Sequence, residues 1–165
     1  MKHEQIRKRK PLSKNGKPLV VACPPMKSNC NVSMLARSAS CLGAVRFITT
    51  GQNRIDDHIS RDCNIEMKHH HSLLPVIKRY RRQGYRVIGV EQATRSKNIY
   101  NYMFEDEPTL LVIGNECKGM DQEVLDCMDE VIEIPLFGEP HSLNVAVAAS
   151  LCLYEYAKQC NYLEY

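Results

Sequence analysis

Short continuous apolar runs alternate with helix-patterned polar stretches along the chain, most clearly in its last third. Leu110 to Ile113 is an unbroken apolar run that stops in the loop GNECKG, Gly114 to Gly119. Such a run fits a strand buried on both faces of a parallel sheet. A helical stretch follows, then a second strand, Val131 to Ile134, stopped by Pro135. The loop LFGEPHS runs into LNVAVAASLCLYEY, which reads as a long helix. Loops leaving neighbouring parallel strands share the carboxyl edge of the sheet, where ligands of open α/β sheets bind.

The same alternation extends upstream. Leu19 to Cys23 predicts a first strand, ended by Pro24 and Pro25. Asn29 or Asn31 is the expected N-cap of a helix in which Val32, Leu35, Ala36, Ala39 and Leu42 recur at helical spacing. Gly43 is its expected stop, and Val45 to Thr49 the second strand. Residues 55–72 carry no period and receive no element. Leu73 to Gln83 predicts an amphipathic helix closed by Gly84, Arg86 to Val90 a strand, and Ile99 to Phe104 a short connection. The pattern predicts one α/β domain over residues 19–165, a mainly parallel sheet flanked by helices, preceded by an arm over residues 1–18.

Composition fits a single globular domain of 165 residues, with 44% hydrophobic and 25% charged content. No apolar run is long enough for a membrane span. Eight cysteines raise the question of disulfides, but the chain lacks a CxxC pair, and no signal peptide is read. Cys41, Cys127 and Cys152 fall in apolar helical patterns, so a reduced, cytoplasmic protein is expected. The net charge of +3 is uneven: residues 1–18 hold seven Lys or Arg against one Glu. Lys8, Arg9 and Lys10 lie at the centre of that basic arm. It points to a polyanion, most simply RNA, with a solvated tail as the other reading. Lys78, Arg79, Arg81, Arg82 and Arg86 form a second basic cluster, either an RNA surface or a solvated helix face.

Each motif alone has a structural reading beside the chemical one. GNECKG lacks the Lys-Ser/Thr ending of a P-loop and the spacing of GxGxxG. It offers backbone amides, the Glu116 carboxylate and little bulk, or is simply a turn needing glycines. His141 to Asn144, HSLN, is expected to open the last helix, with Ser142 as N-cap. Arg37 follows Leu35 and Ala36, close to the apolar stripe, and calls for a phosphate or a carboxylate such as Glu116. His69, His70 and His71 cannot all face one metal from a regular element, and no metal site is assigned.

Three blocks in order carry a resemblance: NVSMLARSASCLGA, LLVIGNECKGMDQEVLDCMDEVIEIPL and FGEPHSLNVAVAASLCLYEY. Together they resemble the SpoU family of SPOUT RNA ribose 2′-O-methyltransferases. GYRVIGVEQATRS is similar to the branch that methylates a guanosine of tRNA. The resemblance implies a C-terminal deep trefoil knot, a homodimer and S-adenosylmethionine as cofactor. It implies cofactor contacts at Ile113, Gly114, Asn115 and Glu116, at Ile134, Leu136 and Gly138, and at Ser142, Leu143 and Asn144. Catalytic or substrate roles would fall on Asn31, Arg37, Glu116, Ser142 and Asn144, with Arg37 on the RNA. Ser33 stands where the family has Gly, and its Cβ is expected to narrow the approach to RNA or cofactor. An rRNA substrate, or a non-catalytic RNA-binding role, is the alternative.

Overall fold

The computed structural model describes residues 16–53, 55, 63–139 and 141–160. Lys8, Arg9 and Lys10 of the basic arm lie outside the described residues. Among those residues seven strands form one parallel sheet: β1 Leu19–Cys23, β2 Arg46–Thr50, β3 Glu66–His70, β4 Arg86–Val90, β5 Lys97–Asn98, β6 Thr109–Ile113 and β7 Glu130–Glu133. Their spatial order is β3-β2-β1-β6-β4-β7-β5. Helices α1 Asn29–Cys41, α2 Leu73–Arg82, α3 Gln122–Leu125 and α4 Val145–Cys160 flank it.

β1 and β6 are buried along their whole length, which is why they read as unbroken apolar runs. Alternate residues serve opposite faces. Leu19, Val21, Leu111 and Ile113 pack with Leu35, Ala36 and Ala39 of α1 and with Ala149, Leu153 and Tyr156 of α4. Val20, Ala22, Leu110 and Val112 pack with Val76, Ile77 and Tyr80 of α2. Pro75 is tolerated because it lies in the first turn of α2, where amides have no partner within the helix.

Several boundaries differ from the sequence expectation. Ser28, not Asn29 or Asn31, caps α1, its Oγ accepting from Asn31 N at 3.4 Å. That cap leaves the Asn31 side chain available for other contacts. Gly43, at φ 93°, does end the helix. β3 carries no sequence period because it is an edge strand with mostly exposed polar side chains. β6 and β7 are not neighbours: β4 lies between them. The last helix starts at Val145, and the cap is Asn144, whose Oδ1 accepts from Ala146 N at 2.9 Å and Val147 N at 3.3 Å.

The eight cysteines form no disulfide among the described residues. Cys152 is buried in α4 as expected, but Cys41 is exposed at the end of α1 and Cys127 is half-buried after α3. Among the described residues no helix is long and apolar enough to cross a membrane.

Candidate active site

A cavity of about 190 Å³ opens above the carboxyl ends of β6, β4 and β7, under the start of α4. The β6 loop forms one wall. Asn115 and Gly119 exchange backbone hydrogen bonds of 3.2 and 3.0 Å, closing the loop on itself. Asn115 Oδ1 accepts from Cys117 N and Lys118 N, and its Nδ2 donates to Pro25 O at 2.7 Å. Gly119 takes φ 67°, the left-handed region that favours glycine.

Glu116 fastens this loop to the start of α1. Its Oε1 accepts from Lys27 N at 2.8 Å and Ser28 N at 3.3 Å, where the positive helix end favours an anion. Its Oε2 is buried and accepts no hydrogen bond. Burial, then the Glu116 charge, pushes the nearby Cys23 thiol up to about 12. Cys23 is therefore a protonated packing residue at neutral pH, not a nucleophile.

Asn31 and Asn144 meet across 113 residues of sequence. Asn144 Nδ2 donates to Asn31 Oδ1 at 3.1 Å, so one side chain both caps α4 and ties it to α1. Lower down, Ser38 and Ser150 are hydrogen-bonded at 2.7 Å along the same helix pair.

Of the expected cofactor contacts, Ile113, Gly114, Asn115, Glu116, Ile134, Leu136, Ser142 and Leu143 line the cavity. Gly138 and Asn144 do not: Gly138 faces open space, and Asn144 is occupied in the cap. Arg37 also stands apart. It is exposed, not partly buried, and forms no ion pair with Glu116, whose carboxylate is held by backbone amides. Six residues separate it from Asn31, which is about 9 Å along a helix. Ser33 is only 3% exposed, inside the packed face of α1, and is not among the residues lining the cavity.

The histidine run divides as strand geometry requires. His69 Nδ1 lies 3.1 Å from Thr49 Oγ1, and His70 Nε2 is 3.5 Å from Arg79. Among the described residues no group of three or more His, Cys, Asp or Glu could hold a metal ion. The second basic cluster is partly paired: Arg81 pairs with Asp129 at 2.9 Å, Arg86 with Glu107 and Glu130 at 3.5 and 3.3 Å, and Lys78 with Glu123 at 3.9 Å, while Arg79 and Arg82 form no ion pair among the described residues.

The model of the SpoU rRNA Methylase family matches residues 18–154. The chain belongs to this family. Residues 18–154 include β1, the α1 motif, the β6 loop and the Ser-Leu-Asn segment, so the match covers every wall of the cavity. A mouse relative, tRNA (guanosine(18)-2′-O)-methyltransferase TARBP1, is 28% identical over 156 residues. That alignment takes 90% of this chain but 10% of the mouse protein. The tRNA (guanosine(18)-2′-O)-methyltransferase of Aquifex aeolicus is 26% identical over 159 residues, 93% of this chain and 75% of that one. Among solved structures, the SpoU methyltransferase AviRb from Streptomyces viridochromogenes in complex with AdoMet superposes with a TM-score of 0.73 at 27% identity. The match covers 88% of this chain and 61% of AviRb.

The sequence reading of this SpoU chain missed Val90, Glu91 and Gln92, which line the cavity between the two loops. A signal was present: the apolar run RVIGV ends in Glu-Gln, placing polar residues at the carboxyl end of a strand. Glu133 was missed as well; it accepts from Ser96 Oγ at 2.6 Å and borders the cavity.

Proposed function

We propose that this chain is a cytoplasmic, S-adenosylmethionine-dependent RNA methyltransferase. Its acceptor is a ribose 2′-hydroxyl, with a guanosine of tRNA as the first substrate to test. It works as a homodimer, with the C-terminal segment forming the knot that the family resemblance implies. The observation that carries this reading is the cavity itself, built from the matched motifs at the carboxyl edge. Both named relatives are tRNA guanosine 2′-O-methyltransferases, which favours tRNA over rRNA.

The lining suits the cofactor. Ile113, Ile134, Leu136, Leu143 and Val145 offer apolar walls for a heterocycle. Glu91, Glu116 and Glu133 are on the lining and Lys, Arg and His are not, which suits a cationic centre. The orphaned Glu116 Oε2 lacks a donor that a ligand could supply. When bound, the sulfonium supplies an already activated methyl group, so the protein's task is alignment and proton removal.

Asn31 accepts from Asn144, which leaves its own amide hydrogens to orient ribose or phosphate. Ser142, exposed at the mouth, is the second orienting donor. Arg37 holds a phosphate of the reacting nucleotide through its guanidinium donors. It lies one helical turn from exposed Met34 on α1, and α4, which packs on α1, exposes Val147, Leu151 and Tyr154. A second copy docked on that face would bury the apolar side chains and carry Arg37 towards the neighbouring cavity.

The test incubates unmodified tRNA with methyl-labelled S-adenosylmethionine, beside Arg37→Ala. Label on a ribose 2′-oxygen is expected, reduced about 10²-fold or more in the variant with cofactor affinity intact. Undiminished cofactor binding with no label in tRNA or rRNA would overturn the catalytic reading and leave an RNA-binding one.

A further inference from the structure

Glu91 follows β4 directly, and β4 lies between β6 and β7. Its carboxylate therefore stands between the two loops that wall the cavity. Two glycines make the room for it. A Cβ on Gly114 would collide with Glu91 Oε2, and one on Gly119 would come to 3.0 Å from the same atom. The glycines of GNECKG thus admit a side chain of a different strand, as well as permitting the turn.

The loop admits this carboxylate without satisfying it. Gly114 N donates to Val90 O at 3.2 Å, and Gly119 N to Asn115 O at 3.0 Å. The donor to Glu91 is its neighbour Gln92 N, 2.9 Å from Oε1. No Lys, Arg or His lines the cavity to balance the charge. Glu116 is held by two backbone amides and Glu133 by Ser96, but Glu91 Oε2 has no donor among the described residues. Glu91 is only half-buried, so this oxygen stays open to solvent or to a ligand in the cavity.

Resting on the cofactor reading above, we infer that Glu91 is the charge-selective residue of the cavity: it favours a sulfonium ligand over the neutral thioether left after methyl transfer. In that transfer the S–CH₃ bond breaks with its electron pair remaining on sulfur. The O–CH₃ bond forms, and the hydroxyl proton leaves to solvent. The cofactor loses one positive charge, so its attraction to a carboxylate on the cavity wall falls. Glu91 thereby holds the reactant and loosens the product.

Calorimetric titration of the full chain tests this without any turnover. The ligands are S-adenosylmethionine, S-adenosylhomocysteine, and the analogue in which a protonated amine replaces the methylated sulfonium. Glu91→Gln keeps the shape and removes the charge; Glu91→Asp keeps the charge. Glu91→Gln is expected to weaken both cationic ligands about tenfold and the thioether less than about twofold. Glu91→Asp retains the preference. Added salt should shrink the cation preference of the wild type and leave that of Glu91→Gln flat. Equal losses for all three ligands would assign Glu91 to hydrogen bonding or loop shape and overturn the inference, as would no loss at all. Wild-type protein binding none of the three would remove the cofactor reading too, a result distinct from a failure of Glu91 alone.

Discussion

Arg46, Arg81 and Arg86 lie where strands enter the sheet, and each is matched to carboxylates on neighbouring elements. Arg46 holds Glu66 at 2.6 Å, Arg81 holds Asp129 at 2.9 Å, and Arg86 spans Glu107 and Glu130. Lys27, Arg95 and Lys118 lie in loops where strands leave the sheet. None of these three forms an ion pair among the described residues. The acids near them are drawn inward to the cavity. At the amino edge Arg46, Arg81 and Arg86 are neutralised within the fold, although Lys17 and Arg82 there form no ion pair among the described residues; Lys27, Arg95 and Lys118 at the carboxyl edge remain available to a polyanion. Basic residues counted along the sequence do not distinguish these two populations. The Lys78–Arg86 cluster, read as an RNA surface or a solvated helix face, accordingly mixes paired and unpaired cations.

Substitutions can separate the two edges. The largest effect is expected at Arg37, exposed and without an ion pair among the described residues: Arg37→Ala should lower methyl transfer about 10²-fold or more. Its thermal midpoint should match the wild type, and a parallel loss of stability would show that Arg37 supports the fold instead. Arg86→Ala should do the reverse. It removes the cation paired with the buried Glu107 Oε1 and should cost about 1–3 kcal/mol in denaturant unfolding, with transfer by the folded protein retained. Asn144 joins both functions. Asn144→Ala should cost about 1 kcal/mol through the lost cap. Asn144→Asp keeps the cap acceptor, loses the donor to Asn31, and should keep stability while slowing transfer. Equal behaviour of the two variants would show that the Asn31 contact is incidental.

Legibility in the sequence followed burial. Leu19–Cys23 and Arg86–Val90 are strands over the expected residues because their apolar runs are core on both faces of the sheet. Glu66–His70 was hidden because its ladder to β2 uses backbone groups, and its side chains follow no apolar period. Strand order was hidden for a different reason. Nothing local in RVIGV says that it inserts between β6 and β7, so Glu91 was not joined to Gly114 and Gly119. Asn31, Glu116 and Ser142 were found through motif order; Glu116 and Ser142 line the cavity, and Asn31 is tied to Asn144 outside its lining. The exposure of Arg37 was misjudged because each helical residue turns about 100°, enough to carry it from the buried Leu35–Ala36 face to solvent.

The smallest expected effect is at the amino edge in acid. Hydrogen bonds from Lys68 first, then Arg46, hold the Glu66 carboxyl below its ordinary value of 4.5. A carboxyl with a lower pKa in the folded than in the unfolded state stabilises the fold above its unfolded value. It loses that contribution as pH falls through the folded value. Glu66 should therefore contribute fully at neutral pH and progressively less below 4.5. Because Glu66 is exposed, salt should screen the contribution. Thermal unfolding of Glu66→Gln beside wild type, at two salt concentrations across the acid range, measures it. The wild-type advantage should be present at pH 7 in low salt, shrink with added salt, and vanish in acid. Methyl transfer at neutral pH should not change. If Glu66→Gln slowed transfer and left unfolding untouched, charge at the two edges would be coupled through the sheet, and the division between a self-neutralised edge and a partner-facing edge would fail.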